Sequence, residues 1–156
     1  MKYRIKFYHR KMEILTDDGE VARYYSDLMY ATFEDPYCWL HFADGAKYRA
    51  EVSLLYLLKN LPPQPFFRCN RTSLINICYY VEYKKSRASI IMNDGTEFKL
   101  SVRNIANFQK QKTGLKRISP PCPPCSNCKN ESCPDFGLFC LPPNQHAAEK
   151  NNGKKR

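Results

Sequence analysis

Short runs of alternating apolar and polar residues, separated by Asp-Gly pairs, recur along the first two thirds of the chain. Met12–Leu15 leads through Asp17-Asp18-Gly19 to Glu20–Tyr25. Trp39–Ala43 leads through Asp44-Gly45 to Ala46–Ala50, and Ala88–Met92 through Asn93-Asp94-Gly95 to Thr96–Leu100. Glycine accepts the positive φ that a tight turn requires, so each unit predicts a β-hairpin. Asp27–Phe33 reads as a further buried strand, which Glu34-Asp35-Pro36 breaks into a loop. At the N-terminus Lys2, Arg4 and Lys6 alternate with Tyr3, Ile5 and Phe7. Period two suits an edge strand or an arm lying against another element, and residues 1–9 are assigned as an arm.

Two stretches switch to helical period. Leu54, Leu57, Leu58 and Leu61 fall at i, i+3, i+4 and i+7 behind Ser53, a good N-cap, and Pro62-Pro63 stops the pattern. A core face explains that stripe better than a partner surface. The second helix starts at Ser101, with Val102, Ile105 and Ala106 expected inward. Arg103 and Asn104 then stand near its N-terminus, where backbone N–H groups and the positive dipole end suit a phosphate, though an arginine there can also simply be solvated. The expected fold class is mainly β: an elongated antiparallel hairpin domain over residues 10–111 with two short helices. Residues 112–156 follow as a Cys/Pro-rich tail expected to be largely disordered, because proline removes donors and aliphatic residues are few.

Charge narrows the partner. The 156 residues carry a formal net charge of +10, which favours a polyanion. Residues 1–109 hold 16 Lys+Arg against 12 Asp+Glu, and residues 110–156 hold 9 against 3, so the tail is the more densely positive part. No apolar run approaches the ~18 residues of a membrane span, and no apolar segment follows the basic start, so a membrane is not expected as a partner. A reducing, cytoplasmic setting follows, in which the eight cysteines read as thiols or metal ligands.

Catalytic chemistry has little footing. Only His9, His41 and His146 are present, with no nucleophile elbow, phosphate-cradling glycine loop or recognisable carboxylate pair. The chain is therefore read as a non-enzyme. Cys38, Cys69 and Cys78 lie in β-rich segments, where isolated cysteines are usually small buried hydrophobes. Cys69 beside Arg68 has a second reading, a thiol of lowered pKa that senses redox state. In the tail, Cys122-x2-Cys125-x2-Cys128-x4-Cys133 brings four thiols close enough for one tetrahedral Zn, with Cys140 as an exchange partner. The alternatives are an iron–sulfur cluster, whose ferredoxin-type spacing the run approaches but exceeds by one residue before its last cysteine, and an unliganded or redox-active tail.

The most informative stretch is Phe66-Phe67-Arg68-Cys69-Asn70-Arg71-Thr72-Ser73-Leu74-Ile75-Asn76. Apolar residues at both ends can anchor it, and Arg68, Asn70 and Arg71 between them can address phosphates or base edges. A buried strand with solvated arginines is the plain alternative. The stretch resembles the F-x-R-x-H-R-S signature of the LytTR-type DNA-binding domain. Lys99-Leu100-Ser101-Val102-Arg103-Asn104 resembles that family's closing S-x-R segment, and Asp35-Pro36-Tyr37-Cys38-Trp39-Leu40-His41-Phe42-Ala43-Asp44-Gly45 its first hairpin. Three motifs thus occur in family order over about residues 10 to 110. The resemblance implies an elongated β fold whose loops enter successive major grooves of duplex DNA. It implies contacts from Tyr37, from Arg68, Asn70 and Arg71, and from Arg103 and Asn104. Asn70 stands where the family carries histidine, which leaves the base preferred there open.

These readings converge on a sequence-specific duplex DNA-binding regulator of transcription, a response-regulator-like output domain that needs no cofactor for its β domain and pairs as a homodimer on repeated sites. The family usually joins this domain to a receiver or a membrane sensor, and about ten residues precede it here. The rival reading is a metal- or redox-sensing protein-interaction module that uses the Cys-rich tail. RNA binding is compatible with the charge but carries no supporting motif.

Overall fold

The computed structural model describes residues 4–114. Its centre is a five-stranded antiparallel sheet. Four consecutive pairings build it from β4 (Leu28–Glu34), β5 (Tyr37–Phe42), β6 (Lys47–Ala50), β7 (Phe66–Asn70) and β8 (Ser73–Asn76), in the order β6-β5-β4-β8-β7. A three-stranded sheet of β1 (Ile5–Phe7), β2 (Lys11–Thr16) and β3 (Gly19–Tyr24) lies on one side together with α1 (Leu54–Asn60). On the other side lie a second three-stranded sheet, β9 (Tyr80–Lys84), β10 (Ser89–Met92) and β11 (Glu97–Lys99), and the longer helix α2 (Val102–Gly114).

The central sheet is buried on both faces over much of its area, so adjacent residues go to different cores. Phe66 and Leu74 join the cluster with Ile5, Met12, Ile14, Leu40 and Leu57. Their chain neighbours Phe67 and Ile75 join the cluster with Ile90, Met92, Phe98 and Phe108. That explains why this stretch reads as consecutive apolar pairs and not as strict alternation. Asn76, fully buried, closes it: its Nδ2 donates to the Leu28 carbonyl at 3.0 Å and its Oδ1 accepts from the Cys78 amide at 3.0 Å. A buried amide satisfied on both ends ties β8 to the start of β4.

The three Asp-Gly hairpins form as expected, with positive φ at Gly19, Gly45 and Gly95. In the latter two turns the aspartate seals the tip itself: Asp44 and Asp94 accept from the Ala46 and Thr96 amides at 3.0 Å each. Ser53 caps α1 through the Tyr56 amide at 3.0 Å. At the N-terminus the edge-strand alternative is what forms: β1 pairs with β2, burying Ile5 and Phe7.

The structure adds one element without a sequence signal and corrects one expectation. Strand β9 was not anticipated, because no Asp-Gly turn announces it and the connection to β10 instead uses Ala88 at φ 49°. Helix α2 is also rotated relative to its apolar pattern. Val102 and Ala106 are exposed, while Phe108 is fully buried and Ile105 packs beside it. The phase is set by Phe108, whose ring meets Phe67 at 5.6 Å, Tyr80 at 5.4 Å and Tyr83 at 5.6 Å. One large ring locked among three others outweighs two small apolar residues.

Candidate nucleic-acid interface

The turn between β7 and β8 and the first turn of α2 meet at one edge of the molecule. Between them is an open groove of about 640 Å³, lined by Arg68, Asn70, Arg71, Ser101, Arg103 and Asn104. Five of the six residues expected to contact DNA therefore come together from two segments some thirty residues apart. The lining holds three arginines and no carboxylate.

The six residues divide into two groups. Arg68 folds over its own turn, donating from Nε to the Asn70 carbonyl at 3.1 Å and from Nη2 to the Arg71 carbonyl at 3.0 Å. Asn70 accepts at Oδ1 from the Thr72 amide at 2.9 Å and from the Thr72 hydroxyl at 3.2 Å. Its Nδ2 donates across to the Lys99 carbonyl at 2.6 Å, which joins the turn to β11. Asn104 donates from Nδ2 to the Cys69 carbonyl at 3.1 Å, and the Ser101 amide donates to the same oxygen at 3.2 Å. Gln111 extends the same suture, its Nε2 lying within 3.1 Å of the carbonyls of Pro63, Gln64 and Phe66. Side-chain amides thus clamp α2 and β11 onto β7. Asn70, where the family carries histidine, still has one N–H to offer.

Arg71 and Arg103 form the second group. Both are exposed, and among the described residues neither side chain makes a hydrogen bond or ion pair. Arg23 and Arg87, by contrast, are engaged: Arg23 pairs with Asp44 at 2.7 Å, and Arg87 grips both oxygens of Glu97 at 3.1 and 3.2 Å. Two uncommitted guanidinium groups on a rigid, carboxylate-free groove are what an anionic partner requires.

Tyr37 is not part of the groove. It lies across from Glu34 at the β4–β5 tip, with the Arg49 guanidinium over its ring at 4.5 Å. That tip and the β7–β8 tip share one end of the sheet, as the bond from the Phe33 amide to the Thr72 carbonyl at 2.9 Å shows. Beside Tyr37 on the same strand face, Trp39 carries Lys47 over its ring at 4.8 Å, and His41 stacks on Tyr30 at 4.4 Å.

The redox reading of Cys69 is corrected. The thiol is fully buried, and burial pushes it up to about 12, opposite to the lowering expected beside Arg68. Cys38 is buried and likewise pushed up to about 12. Among the described residues no three His, Cys, Asp or Glu side chains are grouped as metal ligands. Cys122, Cys125, Cys128 and Cys133 lie outside the described residues. Among the described residues no helix is long and apolar enough to cross a membrane.

Comparison with known proteins identifies the family and the fold. The model of the LytTr DNA-binding domain family matches residues 22–113, and the chain belongs to that family. Its fold is similar to that of a solved LytTr DNA-binding domain from Bacillus cereus, with a TM-score of 0.58 and 21% identity over 68% of this chain and 98% of that one. No curated protein matches the chain. The domain is thus of a DNA-binding family and not of an enzyme family. Residues 4–21, upstream of the match, still supply Ile5, Phe7, Met12 and Ile14 to the core.

Proposed function

We propose that the chain is a sequence-specific duplex DNA-binding regulator of transcription, with Arg71 and Arg103 reading base edges or phosphates from the groove. The observation that carries this is the pair of uncommitted guanidinium groups in a groove where the side chains of Arg68, Asn70 and Asn104 are tied to backbone. Arginine is suited to the task because its planar fork bridges guanine O6 and N7 in the major groove. In this reading Arg68, Asn70 and Asn104 act chiefly by holding the turn and helix, with their remaining N–H groups available to phosphates. Tyr37, at the other tip of the same sheet end, contacts the adjacent stretch of duplex.

Selection from random duplexes at moderate salt is the direct test. An enriched motif is expected, with binding that weakens steeply as salt rises. Equal binding of unrelated duplexes, RNA duplexes and single strands would remove the regulator reading. Two chains on a direct or inverted repeat would show two half-sites one helical turn apart. The tail is proposed to hold one Zn through Cys122, Cys125, Cys128 and Cys133, and elemental analysis of reduced full-length protein, expected to find one equivalent, decides it.

A further inference from the structure

The described residues include four exposed large hydrophobics, Leu55, Tyr56, Val81 and Val102. Only Val102 adjoins groove-lining residues, Ser101 on one side and Arg103 on the other. At 88% exposure it is also the most open of the four. It opens α2, a helix whose core contacts come from Ile105 and Phe108, so packing gives no reason for a branched apolar side chain at this position. Helix formation gives none either. Valine is a modest helix former, and the first turn of a helix favours Asp or Glu, yet this first turn contains no acidic residue. A carboxylate there would repel a phosphate backbone, whereas valine offers an apolar group between two residues that line the polar groove.

The major groove of duplex DNA displays one apolar group, the 5-methyl of thymine. Resting on the duplex-binding reading above, we propose that Val102 packs against a thymine methyl next to the base addressed by Arg103 and so determines part of the sequence preference. The contact is specific to thymine over cytosine, which lacks that methyl, and adds selectivity that the two arginines, as donors only, cannot supply.

Deoxyuridine provides the test, because it keeps every hydrogen-bonding group of thymine and removes only the methyl. With the full chain and the duplex it enriches, each thymine is replaced in turn by deoxyuridine. At one or more thymines wild-type affinity is expected to fall about four-fold, the contribution of one buried methyl-sized group. The same replacement should leave the affinity of Val102→Ser, which puts a polar group in place of the apolar one, unchanged, while its circular dichroism and urea midpoint match the wild type. Methyl dependence that survives in Val102→Ser, or that appears at no thymine, overturns the assignment and leaves the duplex reading standing. Enrichment of no duplex at all overturns both.

Discussion

The floor and the rim of the groove are both lined by polar side chains and behave differently. On the floor Arg68, Asn70 and Asn104 spend their donors on backbone carbonyls of the turn, of Lys99 and of Cys69. On the rim Arg71 and Arg103 make no such bonds among the described residues. A polar side chain bonded to several backbone groups is pre-ordered, so it raises the precision of its neighbours more than it adds contacts of its own. A side chain left uncommitted keeps its full hydrogen-bonding capacity for a ligand. The difference teaches that the groove contains its own scaffold: three polar side chains hold the geometry in which two arginines stay free.

The largest expected effect lies beneath the floor. Phe67, only 5% exposed and packed on Phe108, should lose about 3–5 kcal/mol of folding stability when changed to Ala. Urea denaturation measures this, and a loss below about 1 kcal/mol would detach the floor from the second core. Asn70→Ala removes the bonds to Lys99 and Thr72 and should destabilise by about 1–3 kcal/mol, with DNA affinity falling in parallel. Unchanged stability with weakened binding would move Asn70 from floor to rim.

Arg71→Ala and Arg103→Ala should do the opposite, each weakening specific binding by about 1–3 kcal/mol with the urea midpoint unmoved. A destabilised Arg71→Ala protein would end the distinction. The smallest effect is on pH. Burial, then Lys47, holds His41 below its usual range, with Asp94 and Glu34 partly opposing. The unfolded chain therefore binds more protons between the folded value and ~6.5, so stability is fully present above that window and declines as pH falls through it. His41→Gln should flatten that decline.

The hairpins were legible because their cause is local. An Asp-Gly pair sets the turn whatever surrounds it, and Gly45 and Gly95 adopt φ of 93° and 91° as such turns require. Helix α1 was legible for the same reason, its cap and its leucine stripe lying within nine residues. The motif residues of the groove were also visible as letters, and the family they point to is the one the chain belongs to. Strand β9 was not, since its pairing depends on β10 and a turn without a glycine signal.

By itself the sequence determined the turns, the helix cap, the family and the surplus of positive charge, all properties of neighbouring residues or of their sum. Tertiary structure alone decided which face α2 buries, because Phe108 finds its partners in Phe67, Tyr80 and Tyr83 from strands distant along the chain. It also decided which groove residues are scaffold. Asn70 meets its acceptor on Lys99 and Asn104 meets its own on Cys69, 29 and 35 residues away, and hydrogen bonds across such spans form only once the sheets and helix have packed.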